Sequence, residues 1–187
     1  AIAAAALLAT ASYVWRRPAA PAVPVQLRQL TFEAGLALTP ALSPDGRLLA
    51  YASDRSGDGP LDIWLKQVAG GDPVRLTTGP GSKSMPQFTA DGTRVLYLNG
   101  LEEIHEVPTL GGASRLVMKD GGPFAVSSQG EIAFVRPRTG TTPGPVLIAP
   151  TIGGAPRRWQ PDCIAAGMPA WSPDGKRLTL AGLCKGM

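Results

Sequence analysis

Few residues in this chain could do chemistry. Its 187 residues include one histidine, His105, and two cysteines, Cys163 and Cys184. His105 lies in an apolar run beside Glu103 and Glu106. A histidine serves as a catalytic base only with a nucleophile and an orienting acid in reach. The serine-nucleophile pattern Gly-x-Ser-x-Gly is absent, as are His-Glu-x-x-His, the P-loop and Gly-x-Gly-x-x-Gly. His105 therefore reads as a surface or packing residue. No catalytic residue, cofactor site or metal site is expected. Asp54, Asp58 and Asp62 in a Gly-containing stretch invite a calcium reading, since calcium takes oxygen ligands from flexible loops. The EF-hand pattern is missing, however, and Asp and Gly are ordinary turn residues. Asp54-Arg55 could instead form a local ion pair. The two cysteines are too few for a zinc site without nearby histidines. They are two free thiols or one disulfide.

The elements that would position these residues come from a repeat. Ser43-Pro44-Asp45-Gly46 returns unchanged as Ser172-Pro173-Asp174-Gly175, and in worn form as Thr89-Ala90-Asp91-Gly92 and Ser127-Ser128-Gln129-Gly130. The spacings are 46, 38 and 45 residues. Proline presets φ for a type I turn, Ser and Asp bond local backbone, and Gly takes the left-handed position. An apolar residue precedes each turn (Leu42, Phe88, Val126, Trp171) and an apolar run follows it, so each is a hairpin. Those runs, such as Leu48 to Ala52 and Val95 to Leu98, are apolar at nearly every position. They suit strands covered on both faces. A third run, a Gly-Gly pair and a fourth short run complete each unit.

Four antiparallel strands in about 40 residues make one β-propeller blade. The fold class expected is all-β: an incomplete propeller of about three and a half four-stranded blades, preceded by a short apolar helix. Blades are expected over residues 38–78, 85–119, 124–160 and 168–187, the last with only its first hairpin. Residues 26–31 resemble a fourth strand, the closing strand of a ring whose partner blade is absent here. In the fourth hairpin, the turn at Pro173-Asp174 sets a pairing that puts Cys163 opposite Cys184, so a bridge is geometrically open to them. Trp64, Trp159 and Trp171 sit near strand positions and read as packing between blades. The loops at 54–60 and 136–145 are long, and Asp54, Arg55, Asp58, Arg136 and Arg138 are their candidate contact residues.

Residues 1–15 carry no charge, end near Tyr13 and Trp15, and are followed by Arg16-Arg17. Residues 1–17 read as the end of a transmembrane helix, a signal remnant or an Ala-rich soluble helix. The Pro-rich stretch 18–25 is a stiff linker. Hydrophobic residues make up 44% and charged residues 17%, which excludes disorder by composition. The net charge is +4 with scattered basic pairs such as Arg157-Arg158, so no nucleic-acid partner is expected.

The stretch from Leu38 to Thr77 resembles the TolB-type, WD40-like repeat of bacterial β-propellers. The resemblance rests on the Ser-Pro-Asp-Gly hairpin, Ser53-Asp54-Arg55 after the second strand, Asp62-Ile63-Trp64 and Arg75-Leu76-Thr77. It covers about Leu27 to Gly182 and weakens in the second and third units. An apolar segment, a Pro-rich spacer and TolB-like blades together resemble the outer part of bacterial receptor-type serine/threonine kinases or transmembrane regulators. That likeness implies a non-catalytic sensor or binding module, held to the membrane by the N-terminal helix with the propeller extracytoplasmic. Its implied partners are a protein or peptide and the missing blades of the same parent chain. The same repeats also gate prolyl oligopeptidase-type peptidases and form the free periplasmic TolB protein.

Overall fold

The computed structural model describes residues 26–32, 35–55, 57, 59–100, 102–137, 144–151, 154–159, 163–165 and 167–184. The chain divides into two units, Ala1–Leu30 and Thr31–Met187. In the first, the expected apolar helix (1–17) and linker (18–25) lie outside the described residues. Residues 26–30 take no regular secondary structure, nor does Thr31 at the start of the second unit. The stretch 26–31, expected as the closing strand of a blade absent from this sequence, is in none of the sheets; a strand exists only against a hydrogen-bonded neighbour. No helix among the described residues is long and apolar enough to cross a membrane.

The second unit is all-β. Blade 1 holds β1 (Ala37–Leu42), β2 (Leu48–Ser53), β3 (Asp62–Gln67) and β4 (Val74–Arg75) in chain order. Blade 2 holds β5 (Lys83–Phe88), β6 (Arg94–Asn99), β7 (Glu103–Pro108) and β8 (Arg115–Lys119). Blade 3 holds β9 (Phe124–Val126), β10 (Glu131–Val135), β11 (Val146–Pro150) and β12 (Arg157–Arg158). Blade 4 is a hairpin in two pieces: β14 (Ala170–Trp171) pairs with β15 (Leu178–Thr179), and β13 (Cys163–Ala165) with β16 (Gly182–Cys184).

The repeated turn is built as its residue types require. Ser43 Oγ donates to Asp45 Oδ1 at 2.6 Å and accepts the Leu48 amide at 2.9 Å, while Asp45 Oδ1 also takes the Arg47 amide. Gly46, at φ +70°, donates its amide to the Ser43 carbonyl. Thr89 with Asp91 and Ser172 with Asp174 repeat the arrangement. The worn copy in blade 3 keeps the turn without the acid. Ser127 Oγ alone caps the amides of Gln129 and Glu131.

Apolar runs on the second strands are apolar because both faces are covered. Along β6, Val95 and Tyr97 pack toward blade 1 with Ala50, Ala52, Ile63 and Phe88. Leu96 and Leu98 point the other way, into a cluster with Phe124, Ile132, Phe134 and Leu147. Successive side chains alternate between faces, so a strand between two sheets needs apolar residues at every position. Each fully buried side chain of this size contributes about 1.5–3 kcal/mol.

Two buried carboxylates interrupt the apolar core. In blade 1, Asp62 is fully buried. It accepts Thr77 Oγ1 at 2.8 Å, Arg75 Nε at 3.0 Å and, from the next blade, Lys83 Nζ at 3.3 Å. Lys83, almost wholly buried, also donates to the Gly79 carbonyl at 2.6 Å. In blade 2 the buried carboxylate is Glu106, held by Arg94 and Arg115.

Candidate functional site

A site has to be built where the blades meet, because a single blade offers only flat faces. Two inner strands, β1 and β5, and the residues just before the inner strand β14 carry a second repeat, four residues before the turn: Thr39-Pro40, Met85-Pro86 and Met168-Pro169. Proline has no amide to donate, so a ladder is broken where it sits. The register accordingly slips between Leu38 and Ala41 in blade 1 and between Ser84 and Gln87 in blade 2. At each slip the residue before the proline goes left-handed, Thr39 at φ +48° and Met85 at φ +53°. Such a conformation is costly for a β-branched Thr and persists only when neighbours fix it. Here the Met85 amide donates to Thr39 Oγ1 at 3.1 Å, tying the two bulges together.

Further ties run from blade to blade along the same face. Gln87 Nε2 donates to the Phe124 carbonyl at 2.7 Å and its Oε1 accepts the Val126 amide at 2.8 Å, so one amide spans blades 2 and 3. Trp171 Nε1 donates to the Ala125 carbonyl at 3.2 Å, joining blade 4 to blade 3. These ties leave a groove of about 480 Å³ between the inner strands, lined by Thr39, Pro40, Met85, Pro86, Gln87, Phe88, Val126 and Met168 among others. None of its lining residues is charged or titratable. The groove can receive an apolar or neutral group, and Met side chains adapt to the shape of what they meet. Its lining holds no acid or base, and its one hydroxyl, Thr39 Oγ1, accepts the Met85 amide.

The loop residues marked by the sequence are spread apart. Asp54 Oδ1 accepts the Leu36 amide at 2.8 Å, and the Asp54 carbonyl accepts the Gly57 amide. Arg55 lies over the Trp64 ring, 4.8 Å from its centroid, a cation–π contact. Trp64 Nε1 donates to the Ser53 carbonyl. The Arg136 backbone amide donates to the Pro145 carbonyl at 3.1 Å. Asp58 and Arg138 lie outside the described residues. In the acidic stretch, the oxygens of Asp62 are taken by Arg75, Thr77 and Lys83. His105 Nε2 bonds Glu103 Oε2 at 2.9 Å and its ring stacks on Tyr97 at 5.8 Å between centroids. The Glu103 carboxyl is held below the usual range, first by that bond. Burial pushes the Tyr97 phenol up. Cys163 and Cys184 are directly opposed in the register of β13 and β16.

Reasoning from the sequence missed Thr39, Met85, Gln87 and Met168. The recurring X-Pro pair was the available signal. Gln87 gave none, because nothing local to it announces a bond to a strand 37 residues away.

Four-stranded antiparallel sheets in chain order, packed face against face, define a β-propeller with an incomplete set of blades. The fold is TolB-like. The chain is similar to the structure of a putative TolB from Agrobacterium tumefaciens, with 22% identity and a TM-score of 0.66 over 80% of this chain and 60% of that one. It is also similar to a chain of the nidogen/laminin complex, at 12% identity and a TM-score of 0.62 over 80% of this chain and 58% of that one. Among curated proteins it is 30% identical over 145 residues, 76% of the chain, to the uncharacterized peptidase YuxL of Bacillus subtilis. The chain spans 21% of the length of that relative. No family model matches it.

Proposed function

We propose that this chain is a non-catalytic recognition module that binds a protein or peptide, with the inner-strand groove as its receiving surface. One observation carries this reading. The groove lies where several blades meet, its wall hydrogen bonds are closed within the protein, and it offers shape and apolar surface without any group that could do acid–base or nucleophilic chemistry. Propellers typically place recognition on the loops and channel of a rigid sheet framework. In the form suggested by the apolar residues 1–15 and the Pro-rich spacer, the module is membrane-tethered and extracytoplasmic, the sensor part of a receptor-type kinase or transmembrane regulator. The opposed cysteines fit the same setting, and we propose that they are bridged there.

Immobilised chain probed with a peptide array tests the reading. Apolar peptides should be retained by the native chain and lost by Met85→Asp, which puts a charge into the groove. Equal retention by both would overturn it.

The identity to a curated peptidase favours a second reading, in which these blades belong to the propeller of a peptidase. Sequencing the gene on both sides separates the two. A Gly-x-Ser-x-Gly hydrolase downstream selects the peptidase, and a membrane helix preceded by kinase or winged-helix motifs selects the sensor.

A further inference from the structure

Blade 2 differs from blade 1 at three positions that the register makes equivalent. In blade 1, Leu48, Leu65 and Val74 occupy the second, third and fourth strands, with Ala50 opposite Leu65 and Leu65 opposite Val74. In blade 2 the same places hold Arg94, Glu106 and Arg115, with Leu96 opposite Glu106 and Glu106 opposite Arg115. Blade 1 closes with apolar residues here, and blade 3 keeps an apolar Ile148 at the middle place, between Glu131 and Arg157. Replacing apolar residues with a buried ion cluster rarely adds stability, since desolvation offsets the Coulomb gain.

The cluster is arranged unevenly. Glu106 is 2% exposed. Arg94 Nη1, at 2.8 Å, and Arg115 Nε, at 2.5 Å, both donate to its Oε1. Two guanidinium groups thus share one carboxylate oxygen and leave an excess positive charge. Neither the remaining nitrogens of Arg94 nor those of Arg115 bond any other described residue. These unspent donors face a cleft of about 370 Å³ between the turns of blades 2 and 3.

The other polar groups of that cleft are occupied. Asp91 is the remaining charged residue in its lining. Its carboxylate takes bonds from Thr89 Oγ1, the Thr93 amide and Thr93 Oγ1, and so belongs to its own turn. Ser128 donates to the Pro173 carbonyl, Gln129 to the Asp174 carbonyl and Thr151 to the Gly130 carbonyl. What the cleft still offers is a pair of half-used guanidinium forks, fixed from below by a buried acid. Planar forked donors of this kind match a planar carboxylate.

We propose that this inter-blade cleft binds a carboxylate, supplied by a short peptide as its C-terminus or as an acidic side chain. Glu106 acts as the positioning residue and Arg94 and Arg115 make the contact. The site lies apart from the inner-strand groove, and either can fail without the other.

Calorimetric titration of the 187-residue chain tests it with four probes: N-acetyl-trialanine as the free acid, the same peptide as its amide, the amide of N-acetyl-alanine-glutamate-alanine, and inorganic phosphate. The free acid or the glutamyl amide should bind at least about tenfold more tightly than the neutral amide, the loss expected when a charge-assisted bond goes. Whichever of the two binds names the source of the carboxylate. No preference over the neutral amide overturns the site, and phosphate binding as tightly as either carboxylate overturns its chemistry. Arg115→Gln, at a half-exposed side chain, should weaken binding by a similar factor without changing the melt. The triple change Arg94→Leu, Glu106→Leu and Arg115→Val installs the side chains of blade 1 and should abolish binding. Retained affinity in either variant overturns the proposal, and Arg115→Gln alone decides if the triple variant does not fold.

Discussion

Blades 1 and 2 have the same backbone and opposite internal chemistry. Both carry one buried carboxylate held by two cations, but at different positions of the third strand. In blade 1 it is Asp62, the first residue of β3, and its partner Lys83 is 3% exposed and comes from the next blade. In blade 2 the corresponding first position is Glu103, which turns outward to His105, and the buried acid is Glu106 three residues on. Its partners Arg94 and Arg115 come from within the blade and are about half exposed. The blade 1 cluster is sealed and joins two blades. The blade 2 cluster opens onto a cleft. A repeat thus conserves the shape of its unit while leaving the placement of charge free, and the free choice separates a structural tie from a candidate binding surface.

The largest effect should follow from Asp62→Ala. It leaves Lys83 buried without its carboxylate, and breaking such a pair from one side costs about 3–5 kcal/mol. Urea denaturation reads this directly. Glu106→Leu should cost about 1 kcal/mol or less, because Arg94 and Arg115 can turn to solvent. Equal losses for the two would erase the contrast between sealed and open clusters.

If the chain is air-oxidised, its intact mass should fall by two hydrogens as Cys163 and Cys184 bond, with dioxygen taking the two electrons and two protons. Cys184→Ser should abolish the change and lower the oxidised chain's stability by about 3 kcal/mol. An unchanged mass would leave the opposed cysteines as thiols.

A smaller loss, about 2 kcal/mol, is expected from Gln87→Leu, which strips partners from the Phe124 carbonyl and Val126 amide. The same change in blade 1 terms, Ala41→Leu, removes no hydrogen bond and should leave that inter-blade contact intact. Amide exchange at Val126 distinguishes them.

The smallest effect concerns acid. Bonds from Ser43, Thr89 and Ser172 hold the carboxyls of Asp45, Asp91 and Asp174 below the usual range. A depressed folded value means that the stabilisation is complete above the unfolded value, about 3.9. It is lost as pH falls through the lower folded value. Protection of the Arg47, Thr93 and Lys176 amides, taken as exchange relative to the intrinsic rate at each pH, should therefore fall as the pH drops below about 4. Gln129 holds the equivalent place in blade 3, so the Glu131 amide, capped by Ser127, should not share this response. A matching loss of protection at Glu131 would show that the acid residues are not its cause.

Much of the fold was legible. The Ser-Pro-Asp-Gly turns were readable because a turn is a local object, decided by φ preferences and side chains two to five residues away. Uninterrupted apolar runs disclosed sheets covered on both faces. The opposition of Cys163 and Cys184 in the strand register followed from counting outward from a turn of known type. The resemblance of 26–31 to β4 supplies no neighbour to pair with, and pairing is what makes a closing strand. The groove was half legible: Thr39-Pro40, Met85-Pro86 and Met168-Pro169 stand in the sequence, but the left-handed bulges and the bridge made by Gln87 do not.

By itself the sequence determined the unit: where chains turn, which strands are buried, that the whole is a row of four-stranded sheets, and that the usual catalytic patterns are missing. Only the tertiary structure decided what the units do to each other. Whether Asp62 was a calcium ligand or the anchor of a buried Lys83, and whether Glu106 sat beside His105 or between two arginines, depended on contacts between residues up to 21 positions apart in different strands. Local preferences carry no information across that distance. Strand register and the stacking of one blade on the next supply it.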